Sequence, residues 1–495
     1  MKNMAQFLCL LLIISFYMPL TGENSNRDNE DLSSRLFSLL YPSQLENALW
    51  GAALYDLEKQ ELLFSDNYQK SFMLASNQKL LTTAAALEIL GPDFTYETSF
   101  YFDAESVEDS LLIGDLYIRG SGDPSFTGRF HDDKDSMDLM NKLVENIFSA
   151  HNISGLRGNI IADVSYFSQR GVDRTWENED LSYWYAVAPD TLNFNENIIT
   201  YEITVNEHGG INLYYEPDID YLSFNLNVTT DSNNPTRIAY SRDDNKVVHI
   251  EGNVRSGESI SRRVNVGNPA DYFLYVFRTV AENQGIDLSG AELLIENDPE
   301  VDYDGLSLVY THISPPMHKL VDLINKASHN MYADVVLKTL GKEVMNDGSF
   351  SSGGAVISEL FDKMEIESFG MFVQDGSGLS RRNLVTPKLL TELFIVMQDS
   401  PHFEVWLSSL PQAGRDGTLR SRFRDREITG KVLAKTGFIN KVRALSGYIL
   451  IDEKPRYSFV LICNNYLTTT AFINRLQEEF CETVWEWHFK NEQGQ

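Results

Sequence analysis

The sequence predicts an α/β chain of the α+β kind, with one antiparallel sheet built from both ends and a large, mainly β region inserted between them. Three observations predict it. Apolar strand runs lie near both termini, at residues 49–55 and 61–64 and again at 431–435, 442–451 and 456–463. Helical periodicity dominates from Pro315 to about residue 397. Between residues 99 and 305 the texture changes to short alternating strands broken by acidic and Asn-rich turns. Strands at both ends with helices between them share one core when the ends pair in a single sheet.

The elements follow in order. Lys2 precedes an apolar run at residues 7–20 that ends in Thr21-Gly22-Glu23. That run falls short of the ~20 residues a membrane span needs and has the shape of a secretory signal. Residues 1–22 are therefore expected to be a signal peptide, and the mature chain to be exported, periplasmic and without stable membrane insertion. Cys9 lacks the small residues that precede a lipid-anchored cysteine. Residues 32–40 read as a short amphipathic helix. The strands at 49–55 and 61–64 flank Asp56-Leu57-Glu58-Lys59-Gln60, a hairpin turn. A helix of Ala and Leu runs from Ala75 to the stop signal Gly91-Pro92. In the inserted region, residues 111–118 and 198–205 are strands and residues 137–150 and 270–284 are helices. Loops such as His131-Asp132-Asp133 and Asp231-Ser232-Asn233-Asn234-Pro235 separate them. Helices at 317–326, 331–340, 354–364 and 384–397 come next, the last started by Thr386-Pro387. A three-stranded meander with a turn at Asp452-Glu453-Lys454-Pro455 and a long amphipathic helix at 469–489 close the chain.

Composition narrows the function classes. A chain of 495 residues exceeds one ordinary core, so two or three domains are expected. Its net charge of −30 argues against a nucleic-acid backbone or an anionic membrane surface as partner. Beyond the signal only Cys463 and Cys481 remain, and no His-Glu-x-x-His or Cys-x-x-Cys occurs, so no metal site is expected. In an oxidising compartment the two thiols are available for one disulfide. No Gly-x-Ser-x-Gly elbow, phosphate loop or dinucleotide fingerprint is present.

Three short motifs carry chemistry. Ser76 and Lys79, the one Ser-x-x-Lys in the chain, open the apolar helix and share a face at i,i+3 spacing. A serine hydroxyl becomes a nucleophile when a base takes its proton, and a lysine is that base when burial and the helix dipole lower its pKa. Free backbone N–H groups at the helix start suit a developing oxyanion. Ser328-His329-Asn330 lies in a polar break between apolar helices, facing a cleft or capping a helix through Asn330, with His329 as an incidental, exposed neighbour. Lys435-Thr436-Gly437 ends a strand, where an ammonium beside a hydroxyl makes a carboxylate receptor. Glycine there lets a substrate backbone approach the strand edge.

Together and in this order, the three motifs resemble the signature of the penicillin-binding and serine β-lactamase superfamily. The run from Ala75-Ser76-Asn77-Gln78-Lys79 to Leu87, Asp375-Gly376-Ser377-Gly378-Leu379-Ser380-Arg381, and Asp416-Gly417-Thr418-Leu419-Arg420 narrow the resemblance. They resemble the class C low-molecular-mass penicillin-binding proteins, the D-alanyl-D-alanine carboxypeptidases and endopeptidases of the dacB type. Gly122-Asp123-Pro124-Ser125 and Asn193-Phe194-Asn195-Glu196-Asn197 are similar to that family too, so the likeness spans essentially the whole mature chain.

The resemblance implies a transpeptidase-like domain with a five-stranded antiparallel sheet flanked by helices, assembled from residues 30–98 and 306–495, and two nested inserted domains within 99–305. It implies Ser76 as acylated nucleophile, Lys79 as base, Ser328 as proton relay, and Asn330 holding Lys79 and the substrate amide. Lys435 and Thr436 would receive the terminal carboxylate of D-Ala-D-Ala, Gly437 and Phe438 would lie against the substrate, and the oxyanion would be held by the backbone N–H groups of Ser76 and Phe438. Phe438 departs from the small hydroxyl residue usual after Lys-Thr-Gly. The implied partners are peptidoglycan stem peptides, with β-lactams as covalent inhibitors, and no cofactor is implied. The alternatives are a β-lactamase of the same superfamily, a penicillin- or peptidoglycan-binding protein with little turnover, and a structural wall protein with coincidental motifs. Because all three motifs lie outside residues 99–305, the insert is expected to be dispensable for the acyl transfer itself.

Overall fold

The computed structural model describes residues 22–130 and 135–492. The apolar run of the expected signal and the His131-Asp132-Asp133 loop lie outside the described residues. The first helix, Gly22–Leu40, starts ten residues before the expected 32–40 segment, and Leu32, Leu36 and Leu40 place one stripe of it in the core.

Both ends of the chain meet in a five-stranded antiparallel sheet. Its order is Val432–Ile439, Val442–Ile451, Lys454–Asn464, Leu49–Asp56 and Glu61–Asp66. The apolar runs of these strands follow from burial on both faces, since successive side chains point to opposite sides. Trp50, Ala52 and Leu54 join Phe459, Leu461 and Cys463 on the face covered by the two terminal helices, Gly22–Leu40 and Thr470–Glu492. Ala53, Val460 and Ile462 point the other way, into the core shared with helices Gln78–Ile89, Met317–Lys326 and Pro387–Val396. The turn between the last two strands is tighter than expected. Asp452 and Glu453 alone form it, at φ 48° and 61°, and Lys454 and Pro455 already lie in the strand. A two-residue turn with both φ positive matches the strand twist.

Cys463, on a central strand, and Cys481, on the C-terminal helix, are both free and fully buried. They pack as small apolar side chains rather than forming the available disulfide.

The helical stretch matches the periodicity closely, with Asn330–Met345 and Phe350–Lys363 completing it. A short helix at Phe403–Ser409 is added; at seven residues it is too short for a periodic signal. Among the described residues no helix is long and apolar enough to cross a membrane.

Between the sheet's two halves, residues 97–313 build one sheet on the strands Glu97–Glu108 and Leu111–Arg119 and two three-stranded sheets. Helices Ser136–Ile147 and Pro269–Asn283 pack with all three in a common core. The outgoing strand Ser307–Ile313 pairs antiparallel with the incoming strand, Ile313 opposite Glu97. The chain therefore leaves this region beside the point where it came in.

Candidate active site

Ser76 lies in a 3₁₀ turn, Ala75–Asn77, that precedes the α-helix Gln78–Ile89 rather than inside its first α-turn. The i,i+3 relation to Lys79 survives, because the two segments are continuous. The turn is set by close packing: Ala75 has φ 46°, and a Cβ on Gly378 (φ 84°) would sit 1.9 Å from the Ala75 carbonyl. Gly437 acts in the same way from the other side. A Cβ there would meet the Leu74 carbonyl at 2.6 Å, so this glycine admits the Ser76 turn.

Lys79 is fully buried. Its Nζ lies 3.1 Å from Ser76 Oγ, 2.7 Å from Asn330 Oδ1 and 2.6 Å from the Ser377 carbonyl. Burial pulls its pKa down to about 8, against the opposing pull of the Asp334 and Asp375 carboxyls.

Ser328 sits at φ 58° just before the helix Asn330–Met345. Asn330 does not cap that helix; it is its first residue, and its side chain bridges from Lys79 to the Tyr185 carbonyl, to which Nδ2 donates at 2.7 Å. His329 is likewise not an exposed bystander. It is buried, with Nε2 3.2 Å from Glu196 Oε2. Burial alone would raise the Glu196 carboxyl, but His329 and Arg129 hold it well below its ordinary value. Glu196 belongs to the Asn193–Asn197 run, where Asn195, Glu196 and Asn197 take φ of 50°, 55° and 56° in succession. Asn197 Nδ2 also donates to Met331 Sδ at 3.2 Å.

Lys435 and Thr436 lie on the edge strand, in its middle rather than at its end. Lys435 Nζ donates to Ser328 Oγ at 2.8 Å and to the Thr436 carbonyl at 3.1 Å. Thr436 Oγ1 donates to Thr418 Oγ1 at 2.8 Å, which brings in the Asp416-Gly417-Thr418 run. Lys435 is fully buried, and desolvation together with the Lys79 and Arg443 cations holds it well below an ordinary lysine. Along this strand the Ala434 N–H donates to Pro411 and the Val432 carbonyl accepts from Ala413, so even-numbered residues turn their backbone groups away from the neighbouring strand. By the same alternation the Phe438 N–H faces the open edge. The Phe438 ring is half exposed, with the Arg443 guanidinium carbon 5.6 Å from its centre.

A cleft of about 480 Å³ opens over these groups, lined among others by Ser76, Ser328, Asn330, Tyr185, Arg381 and Phe438. Motif spacing gives no role to two buried aspartates beneath it, although Asp375 opens one of the runs that carry the resemblance. Asp334 Oδ1 accepts from the Gly376 and Ser377 N–H groups, both at 2.9 Å, and so fixes the carbonyl that holds Lys79. Asp375 accepts from Gly378 and Ser380 N–H and from Trp176 Nε1. A signal existed for the first. Asp334 lies one turn beyond Asn330 and one turn before Lys338 in a buried, largely apolar helix, where an acid has to find partners. Among the described residues no cluster of His, Cys, Asp and Glu suits a metal ion.

The D-Ala-D-Ala carboxypeptidase 3 (S13) family model matches residues 32–478. A D-alanyl-D-alanine carboxypeptidase of Actinomadura sp. (strain R39) is 28% identical over 453 residues, covering 87% of this chain and 80% of the relative. Penicillin-sensitive carboxypeptidase A of Dictyostelium discoideum is 29% identical over 519 residues, covering 94% and 95% of the two. The crystal structure of penicillin binding protein 4 (dacB) from Haemophilus influenzae superposes with a TM-score of 0.80 at 22% identity, covering 92% of this chain and 99% of that one. The family match takes in all three motifs and both halves of the five-stranded sheet, and on it this chain belongs to the D-Ala-D-Ala carboxypeptidase 3 (S13) family, as a serine-type D-Ala-D-Ala carboxypeptidase.

Proposed function

We propose that the chain is an exported DD-peptidase that cleaves peptidoglycan stem peptides through an acyl-serine intermediate. The observation that supports it most is the set of partners around Lys79. A neutral amine has two N–H groups and one lone pair. The Asn330 and Ser377 oxygens, at 2.7 and 2.6 Å, take the two N–H groups and leave the lone pair for the Ser76 hydroxyl at 3.1 Å. Ser76 Oγ then attacks the D-Ala carbonyl as its proton passes to Lys79. The oxyanion is received by the backbone N–H groups of Ser76 and Phe438. As the C–N bond breaks, Ser328 passes a proton to the leaving amine, and water later hydrolyses the ester by the reverse proton path. Burial holds Lys435 well below an ordinary lysine and no carboxylate acts on it, so the substrate's terminal carboxylate supplies the countercharge it lacks.

A leaving D-Ala gives carboxypeptidase action, and a leaving side-chain amine of a cross-linked stem gives endopeptidase action by the same steps. Penicillins acylate Ser76 in the same way and are its inhibitors. In domain terms, residues 30–98 with 306–495 form the catalytic unit, and 99–305 form the inserted region, whose sheets share one core. Digestion of purified cross-linked peptidoglycan, with the fragments resolved, tests the reading; fragments unchanged in both terminal D-Ala and cross-links would sink it. Fast steady-state hydrolysis of penicillin would instead favour a β-lactamase.

A further inference from the structure

Trp184 separates the Ser76 cleft from a second hollow of about 460 Å³, walled by Tyr183, Trp184, Tyr240, Arg262 and Arg263. The two are neighbours across one indole. The Arg263 guanidinium lies over the Trp184 ring, 3.7 Å from its centre. Stacking fixes the face of a guanidinium and leaves its N–H edge available to a planar anion. Arg262 donates to the Ser261 carbonyl at 2.8 Å. Among the described residues neither arginine has a carboxylate within 4.0 Å. Glu196, the acid that acts most on Arg263, is already held by Arg129 and His329. In a chain with 71 acidic and 41 basic residues, this pair, Arg263 stacked on Trp184 and Arg262 exposed beside it, leaves a small basic patch open to an anion.

We propose that this hollow is an accessory subsite for a free carboxylate on the peptidoglycan strand, upstream of the scissile bond on the acyl side. The proposal rests on the peptidase reading of the Ser76 cleft and names a further part of its substrate. The guanidinium forks match a carboxylate bidentately, and the Tyr183, Trp184 and Tyr240 rings offer flat walls to the adjoining peptide or sugar. Three extended residues span about 10 Å, enough to cross one indole. That reach points to the α-carboxylate of the γ-linked glutamate in the stem.

The test uses disaccharide tetrapeptides ending in a single D-Ala, which carry no scissile bond, with the glutamate carboxylate either free or amidated. Calorimetry on the full chain is expected to show the free form bound about tenfold more tightly, the scale of one charge-assisted contact. Arg262→Ala and Arg263→Ala should each remove most of that preference. Equal binding of both forms, or a preference kept in both variants, overturns the subsite. The penicillin acylation rate separates this from a distorted cleft, because penicillin is too short to reach past Trp184. Acylation that falls in step with binding in both variants also overturns it. Release of D-Ala from the matching pentapeptide tests the underlying reading on its own. A carboxylate preference without D-Ala release keeps the subsite and removes the peptidase, and release without preference does the reverse.

Discussion

Burial brings the Lys79 ammonium down to about 8, so the protonation of this one side chain should show in the pH dependence of acylation. As the proposed base, Lys79 works unprotonated. The rate of penicillin acylation should therefore rise about tenfold per pH unit below that value and level off above it. Stopped-flow acylation across pH 5–10 is the measurement, and a flat profile would remove Lys79 as base. Lys79→Ala should lower the rate at least ~10²-fold, the usual contribution of a general base. Ser76→Ala should abolish the covalent adduct seen by intact-protein mass spectrometry, and the double variant should be no worse. Lys435→Ala should lose roughly 1.5–3 kcal/mol on substrates with a terminal carboxylate. The loss should be smaller on an activated ester without one; equal losses would mean that Lys435 acts only by orienting Ser328.

One level up, the turn Asn195–Asn197 and the break before helix Asn330–Met345 are joined by the Glu196–His329 pair. A carboxyl held below its ordinary value of 4.5 stabilises the folded state fully above that pH. The contribution is lost as pH falls from there towards the folded value. Glu196→Gln should therefore lower stability at neutral pH and flatten its decline in acid, as read from urea midpoints between pH 3 and 7. Removing one partner of a buried pair costs about 3 kcal/mol, less here because Arg129 is partly exposed. An unchanged acid limb would show that the pair is not a folding contact. In the sheet and C-terminal helix, burial pushes both cysteine thiols up. Cys463 and Cys481 should resist alkylation in the native protein and react in denaturant without a reductant; failure to react after unfolding would reveal a disulfide.

The insert, dispensable on motif positions alone, touches the Ser76 cleft through Asn330 and holds the elements around it. Tyr185 accepts from Asn330, Trp176 donates to Asp375, Glu196 pairs with His329, and Lys338 Nζ donates to the Gln169 and Pro189 carbonyls. A chain that bridges residues 97 and 313 is sterically reasonable, since those two residues are paired. It should nevertheless acylate at least ~10-fold more slowly even when folded, because Asn330 loses the contact that aims it at Lys79. Fluorescent penicillin labelling alongside circular dichroism checks this, and wild-type labelling rates would restore the insert's independence.

The chain by itself determined what depends on local spacing. Period-2 and period-3.6 apolar patterns placed the strands of the catalytic sheet and most helices to within a few residues, because burial on a fixed face imposes those periods. Ser76 with Lys79 was legible for the same reason, since i,i+3 on a helix start is geometry written in sequence. What only the tertiary structure decided are contacts between residues far apart in the chain. Ser328 meeting Lys435, Asn330 bridging Lys79 to Tyr185, and His329 buried against Glu196 each join separate segments. A buried polar group must find a partner, but nothing in local spacing says which one. That is why local spacing makes His329 an incidental residue and leaves Asn330 between a cap and a cleft group, and why only the resemblance points to its contact with Lys79. It is also why the packing of Gly437 against the Leu74 carbonyl is not legible in the tripeptide.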